Sequence, residues 1–95
     1  MNDYEVALII RPELEDEAQE EIIERLSQIL TAAEGQVENV EKWGRRRLAY
    51  PINKVNEGHY YFIQGKFSPS VLPELERNIR LSESILRHMV LRTDN

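Results

Sequence analysis

Four segments of the chain alternate apolar and polar positions with the period of two that is typical of β-strands. In the first, residues 4–10, apolar residues occupy both faces, with Ala7 and Ile9 opposite the main apolar face, which predicts a central position in a sheet. Arg11 and Pro12 end this strand, because proline cannot donate to the hydrogen-bonded ladder. The other predicted strands span residues 36–52, 59–67 and 85–92.

The second predicted strand departs from strict alternation at two places. Val37 and Val40 are three residues apart, which predicts a bulge, and Gly44 marks a second irregularity. Pro51 places this strand at an edge of the sheet, where its missing N–H leaves no neighbour unpaired. Residues 53–58 include Asn and Gly, which tolerate positive φ, and they predict the turn of a hairpin leading into the third strand.

The last predicted strand leaves its inward face undecided. One face carries Leu86, His88, Val90 and Arg92, and the other carries Ile85, Arg87, Met89 and Leu91. Each set mixes apolar and basic side chains, so alternation alone does not choose between them. Residues 93–95 are predicted to form a short, frayed tail.

Two segments have apolar residues at helical spacing. The first spans residues 16–34, with Asp16 as the predicted N-cap, Gln19 completing a capping box and Gly35 in the left-handed position after the last turn. The second spans residues 70–81. The predicted buried positions are Ala18, Ile22, Leu26, Ile29, Leu30 and Ala33 in the first helix, and Leu72, Leu75, Ile79 and Leu81 in the second.

The element order is therefore β-α-β-β-α-β, which is the split βαβ or ferredoxin-like arrangement. Right-handed crossovers predict an α+β fold with one four-stranded antiparallel sheet, strands one and three in the centre and two helices on one face. The 95 residues are expected to form a single domain, 1–95. The other face of the sheet stays open, and its apolar residues make it a candidate docking surface.

The composition excludes several classes of site. The chain has no cysteine, and His59 and His88 are isolated, so neither a thiolate nor a histidine metal centre is expected. The four glycines are scattered, which excludes a glycine-rich phosphate loop, and no cofactor is predicted. No apolar run approaches the roughly 20 residues of a membrane-spanning helix, and the N-terminus lacks the features of a signal peptide.

The charge is unevenly distributed along the chain. The net charge is −5, but residues 1–41 hold twelve acidic and two basic residues, whereas residues 42–95 hold five acidic and ten basic residues. The two parts carry net charges of −10 and +5. Because a polyanion responds to the local potential near a patch, an acidic total does not exclude nucleic acid, but a basic partner is expected to assist.

Residues 42–54, which we call the basic segment, contain no acidic residue and five of the twelve basic ones. These are Lys42, Arg45, Arg46, Arg47 and Lys54. The aromatic residues Trp43 and Tyr50 flank the arginines. A guanidinium group can bind a phosphate through two parallel hydrogen bonds, and a flat aromatic ring can stack on a base. The pattern therefore predicts a nucleic-acid contact. Alternation places the middle arginine on one face and its two neighbours on the other. The alternative is a solvated hairpin arm.

Other functions find less support. The glutamates of the first helix are typical of a solvated face and not of a cation site. An enzyme of this topology, such as a small phosphatase, needs an arginine facing a glycine-rich turn, whereas Arg11 is followed by Pro12 and Glu13. A regulatory dimer that binds a small ligand between sheets remains an alternative, although it leaves the basic segment unexplained.

Three stretches resemble one family. Residues 43–54 (WGRRRLAYPINK), the opening Tyr4-Glu5-Val6 and the ending 87–93 (RHMVLRT) are similar to the sixth protein of the bacterial small ribosomal subunit, and the similarity spans residues 2–93. The resemblance implies a cytoplasmic, non-catalytic ribosomal protein with a ferredoxin-like fold. It also implies binding to the central domain of 16S ribosomal RNA, together with the eighteenth small-subunit protein as heterodimer partner.

The resemblance also implies which residues meet RNA or the protein partner. Carried over by position, they are Arg45, Arg46, Arg47, Tyr50, Pro51, Lys54, Arg80, Arg87, Met89 and Arg92. Asn2 and Asp3 stand where many relatives have basic residues, so no N-terminal phosphate contact is expected. Which arginine meets phosphate and which meets protein is left open by the sequence.

Overall fold

The computed structural model describes residues 1–94 of the chain, and the element order within them is the predicted one. The elements are β1 (Asn2–Ile10), α1 (Asp16–Ala32), β2 (Gln36–Ile52), β3 (Val55–Phe67), a 3-10 turn (Pro69–Val71), α2 (Leu72–Leu81) and β4 (Ile85–Arg92). All neighbouring strands are antiparallel, in the order β2-β3-β1-β4. The ferredoxin-like fold and the central positions of β1 and β3 are thus confirmed. Neither helix within residues 1–94 has the length and apolarity needed to cross a membrane.

The core lies between the sheet and both helices. Alternate residues of β1 and β3 point into it, because side chains along a strand alternate between the two faces. The buried apolar residues are Tyr4, Val6, Leu8, Ile10, Ile23, Leu26, Leu30, Tyr61, Ile63, Phe67, Val71, Leu75 and Ile79, which form one cluster. We call this side of the sheet the helix-covered face and the opposite side the open face.

The bulge that the valine spacing predicts is present. Val37 pairs with Gly65 and Asn39 with Gln64, so Glu38 is an extra residue in β2. One extra residue reverses the side-chain alternation that follows it. Val37 and Val40 therefore both lie on the helix-covered face, although they are three positions apart.

The hairpin turn is shorter than predicted. β3 begins at Val55 and not at His59, and Ile52 already pairs with Val55. Only Asn53 and Lys54 form the turn, with φ of 49° and 65°. Two successive positive φ values are typical of a type I′ hairpin, whose twist matches that of the flanking strands.

The predicted capping box at the start of α1 is wrong. Glu15 is the cap residue, and its side chain makes no capping hydrogen bond. Gln19 is instead 1% exposed: its Nε2 donates to the Leu14 carbonyl at 2.8 Å, and its Oε1 accepts from the Tyr61 hydroxyl at 2.9 Å. A buried amide with both ends satisfied inside the core is not available to cap the helix.

The end of α1 also differs from the prediction. The left-handed residue is Glu34, with φ of 64°, and not Gly35. Gly35 is needed for a different reason. A Cβ at this position would lie 2.7 Å from the Leu30 carbonyl oxygen and 2.9 Å from Phe67 Cβ, so only glycine allows the chain to pass this close to the core.

The buried stripes of the helices are rotated from the prediction. In α1, Gln19, Ile23, Leu26 and Leu30 are buried, whereas Ile22 and Ile29 lie at the flank and Ala33 is exposed. In α2, Leu75 and Ile79 are buried, but Leu81 is 69% exposed. The segment before α2 forms the 3-10 turn, in which the Ser68 hydroxyl accepts from the Ser70 N–H, so the α-helix begins two residues later than predicted.

Strand β4 resolves the question of its inward face. His88 pairs with Leu8 and Val90 with Val6, so both lie on the helix-covered face, whereas Arg87, Met89 and Leu91 are exposed on the open face.

The predicted fraying of the tail is wrong for residues 93 and 94. The Thr93 N–H donates to the Asp3 carbonyl at 2.8 Å, and Asp94 binds Arg92. Both contacts hold the chain after β4 against the sheet. Asn95 lies outside the described residues.

Candidate nucleic-acid interface

The basic segment lies on the edge strand β2, and a second bulge determines how it is presented. Lys42 pairs with Tyr61 and Gly44 with Tyr60, so Trp43 is the extra residue. Gly44 has a φ of 83°, and no atom lies within 4 Å of the position that a Cβ would take. The backbone conformation, and not a lack of space, therefore favours glycine here.

This bulge decides which face each arginine occupies. Cross-strand partners share a face of the sheet. Arg46 pairs with Gly58, two residues before Tyr60 along β3, and so lies on the open face. Arg45 pairs with His59 on the helix-covered face, where the His59 ring lies 3.1 Å from the Pro12 carbonyl. The predicted division of the arginines between two faces is confirmed.

The open face near Arg46 is aromatic. The Trp43 ring lies 4.6 Å from the Phe62 ring and is 49% exposed. The Arg46 guanidinium carbon lies 5.0 Å from the centre of the Trp43 ring, within the range of a cation–π contact. Such a contact orients the guanidinium and leaves its positive charge uncompensated.

Two other cations of the segment are paired with carboxylates. Arg45 Nη2 contacts Glu57 at 2.9 Å, and Lys42 Nζ contacts Asp16 at the start of α1 at 3.2 Å. The hydrogen bond that Lys42 donates to Asp16 raises the pKa of Lys42 above its ordinary value. Both pairs lie on the helix-covered face, so the basic segment is partly neutralised there.

The end of the segment leaves the sheet. Arg47 pairs with Glu57, and the next ladder pair is Ile52 with Val55, so residues 48–51 face only Asn56. Within this stretch Tyr50 is 58% exposed, and its hydroxyl accepts a hydrogen bond from Arg87 Nη1 of β4.

The three remaining predicted residues lie on other elements. Arg80 of α2 contacts Glu76 at 3.7 Å, and Arg92 contacts Asp94 at 2.7 Å. The hydrogen bond from Arg92 lowers the pKa of the Asp94 carboxyl, while Asp94 raises that of Arg92. Met89 is 46% exposed on the open face.

Four of the predicted cations contact no carboxylate anywhere in residues 1–94. They are Arg46, Arg47, Lys54 and Arg87. The first three belong to the basic segment, and the contact between Tyr50 and Arg87 joins the fourth to it. The segment therefore presents its positive charge at the hairpin end and on the open face.

A shallow apolar recess lies beside these cations on the open face. Its volume is about 220 Å³. Its lining includes Ala7, Ile9, Tyr60, Phe62, Arg87 and Met89. The predicted open, apolar sheet face thus exists, and it borders the exposed cations.

Six of the ten predicted residues lie at the hairpin end or on the open face. They are Arg46, Tyr50, Pro51, Lys54, Arg87 and Met89. Arg45 and Arg47 pair with His59 and Glu57 on the helix-covered face, and Arg80 and Arg92 lie on that side as well. The predicted set did not include Trp43, Tyr60 and Phe62. Trp43 flanks the arginines in the sequence, and the rings on both faces of the third strand were the signal that could have added Tyr60 and Phe62.

The acidic face of α1 stays solvated. Glu17, Glu20, Glu21 and Glu24 line a shallow surface with Arg25 and Gln28. Within residues 1–94, no three of His, Cys, Asp and Glu come together as a metal site would require.

Comparison with known proteins gives one consistent family. The family model "Ribosomal protein S6" matches residues 3–92. The small ribosomal subunit protein bS6 of Clostridium novyi is 46% identical, covering 96% of both chains, and that of Moorella thermoacetica is 39% identical, covering 99% of this chain and 96% of its own. The crystal structure of 30S ribosomal protein S6 from Thermotoga maritima superposes with a TM-score of 0.91 at 34% identity, covering 97% of this chain and 87% of that one.

The backbone at Gly44 yields a stability prediction. Gly44→Ala should lower the free energy of unfolding by about 1 to 3 kcal/mol, because alanine is strained at positive φ although space is available. Gly44→Asn should cost less, since asparagine tolerates this region better. Denaturant unfolding measures both variants. Equal stability of the alanine variant and the parent protein would contradict the role given to the bulge.

Proposed function

Because the chain belongs to the ribosomal protein S6 family, and is thus a cytoplasmic, structural component of the small ribosomal subunit and not an enzyme, we propose that it binds 16S ribosomal RNA through the hairpin end of β2 and β3. The proposed RNA surface is the basic segment together with Arg87. The whole chain, residues 1–95, would act as one RNA-binding domain.

One observation carries this proposal: four predicted cations lack a carboxylate partner within residues 1–94, three of them lie within residues 46–54, and the fourth, Arg87, contacts the same segment through Tyr50. Phosphate contacts position a protein on RNA, and each Arg or Lys that contacts a phosphate releases counterions. Arg46, Arg47, Lys54 and Arg87 can make such contacts without first losing an ion pair. Trp43 and Tyr50 add exposed rings on which an unpaired base can stack.

The other predicted residues rank below these. Arg45, Arg80 and Arg92 each contact a carboxylate, but exposed ion pairs are weak because solvent screens them, so a phosphate can replace the carboxylate at small cost. Pro51 is exposed beside Tyr50 and restricts the backbone there.

We further propose that the open face docks the eighteenth small-subunit protein. Two features of the open face support this docking proposal: the apolar recess, and the exposed apolar side chains of Met89 and Leu91, which are 46% and 47% exposed. Apolar surface of this kind is normally covered by a partner. A basic partner would also offset the net charge of −5, which otherwise opposes binding to a polyanion.

The alternative of a regulatory dimer that binds a small ligand receives no further support. The recess of about 220 Å³ is smaller than the roughly 300 to 1,000 Å³ of typical ligand sites. The family membership instead favours assembly into the ribosome.

The RNA proposal predicts a salt-dependence result. Arg46→Gln, Arg47→Gln and Lys54→Gln, made singly with the basic partner present, should each weaken binding to the central-domain RNA and reduce the slope of log K against log salt by about one unit. Arg25→Gln is the matched control, because Arg25 also lacks a carboxylate contact within residues 1–94 but lies on α1. The proposal is wrong if the control lowers the slope as much as the three hairpin variants do.

The partner proposal predicts a separate result. Met89→Glu should weaken binding of the eighteenth protein about tenfold or more, because a charge replaces exposed apolar surface on the docking face. Leu81→Glu is the control, since Leu81 is equally apolar and 69% exposed but lies on α2. Titration calorimetry with the purified partner measures both. Similar losses in the two variants would rule out the open face as the specific docking site.

A further inference from the structure

We propose that residues 48–51 form a strap in which Tyr50 positions Arg87 for RNA, so that β2 and β4 present one prearranged surface. The inference rests on the proposed function, because it assigns Arg87 a phosphate contact. It adds a role for Tyr50 as a positioning residue that acts through Arg87.

The strap needs a tertiary contact to be ordered. Its four residues face only Asn56 across the hairpin, since the ladder passes from Arg47–Glu57 directly to Ile52–Val55. Residues in a long bulge, without one-to-one partners across the hairpin, keep more conformational freedom, and fixing them has an entropic cost. Within residues 1–94, Tyr50 links this stretch to an element outside the hairpin through its contact with Arg87 of β4.

This contact spans the sheet. β2 and β4 are its two outer strands, with β3 and β1 between them. Neighbouring strands lie about 4.8 Å apart, so three spacings separate the outer strands by roughly 14 Å. Arg87 pairs with Ile9, Ile9 with Tyr60, and Tyr60 with Gly44. Tyr50 and Arg87 therefore reach each other over the open face, which requires the strap to direct the Tyr50 side chain to that face.

The contact orients Arg87 without neutralising it. Arg87 Nη1 donates to the Tyr50 hydroxyl, and its guanidinium carbon lies 5.8 Å from the ring centre, near the outer limit of about 6 Å for a cation–π contact. The hydrogen bond is thus the main interaction, and its acceptor is uncharged. A guanidinium has five N–H donors, so the remaining donors stay available for a phosphate.

Arg45 shows the contrast. It contacts the Glu57 carboxylate at 2.9 Å, which compensates its charge. Arg87 is held by a neutral hydroxyl group and keeps its full charge. Holding a side chain and a loop in the bound arrangement reduces the ordering cost of association.

The first experiment tests the strap in the free, full-length protein. Tyr50→Phe removes the hydroxyl and keeps the ring. Amide hydrogen exchange of residues 48–50 should become about three- to tenfold faster in Tyr50→Phe and in Arg87→Gln, and no faster in the double variant. Tyr60→Phe, on the same face, is the matched control and should leave these rates unchanged. Unchanged exchange in Tyr50→Phe would overturn the strap, whatever the RNA result.

The second experiment tests the positioning role, with central-domain RNA and the basic partner. Tyr50→Phe should weaken binding about three- to tenfold with an unchanged salt slope, because no charge is lost, whereas Arg87→Gln should also reduce the slope by about one unit. In the Arg87→Gln background, Tyr50→Phe should have no further effect. A faster-exchanging strap with unaltered RNA affinity would overturn the positioning role alone. If the parent protein did not bind RNA, the proposed function would fail instead, while the exchange result would stand.

Discussion

The site depends on a mismatch in length between two paired strands. Strand β2 has seventeen residues, Gln36–Ile52, and it pairs with a shorter stretch of β3 that runs from Val55 to Lys66. The surplus must leave the ladder, and it does so at Glu38, at Trp43 and over residues 48–51. Each departure has a different consequence. The first keeps both valines on the helix-covered face, the second turns Arg46 to the open face, and the third lets Tyr50 contact Arg87 of β4.

Ion pairing then determines which basic side chains of β2 keep an uncompensated positive charge. Arg45 and Lys42 contact carboxylates on the helix-covered face, whereas Arg46 contacts the Trp43 ring and forms no ion pair within residues 1–94. Residues 1–41 carry a net charge of −10, so their carboxylates could have paired with every basic side chain of β2. The sequence alone therefore did not show that some of these basic side chains lack an ion pair. The bulge at Trp43 moves Arg46 away from the register position opposite Glu57, which Arg47 occupies instead. The electrostatic site is therefore a product of backbone geometry as much as of composition.

The sequence predicted the fold and most of this segment because these depend on local patterns. The valine spacing and Gly44 indicated the bulges, and the turn residues indicated the hairpin. The predictions failed where a distant residue decides the outcome. Gln19 was assigned to a cap because its partner Tyr61, 42 positions away, is not visible in the local pattern. The link between Tyr50 and Arg87 was missed for the same reason, since it depends on the register between β2 and β3.

The most direct test of this account is to follow the arginine Nε–H resonances by nuclear magnetic resonance as the partner-bound protein is titrated with central-domain RNA. The resonances of Arg46, Arg47 and Arg87 should shift, because these residues belong to the proposed RNA surface and contact no carboxylate within residues 1–94. Arg77 lies outside that surface on α2, where it is paired with Glu74, and should not respond. Shifts confined to Arg77 and Arg80, with the hairpin arginines unaffected, would contradict it.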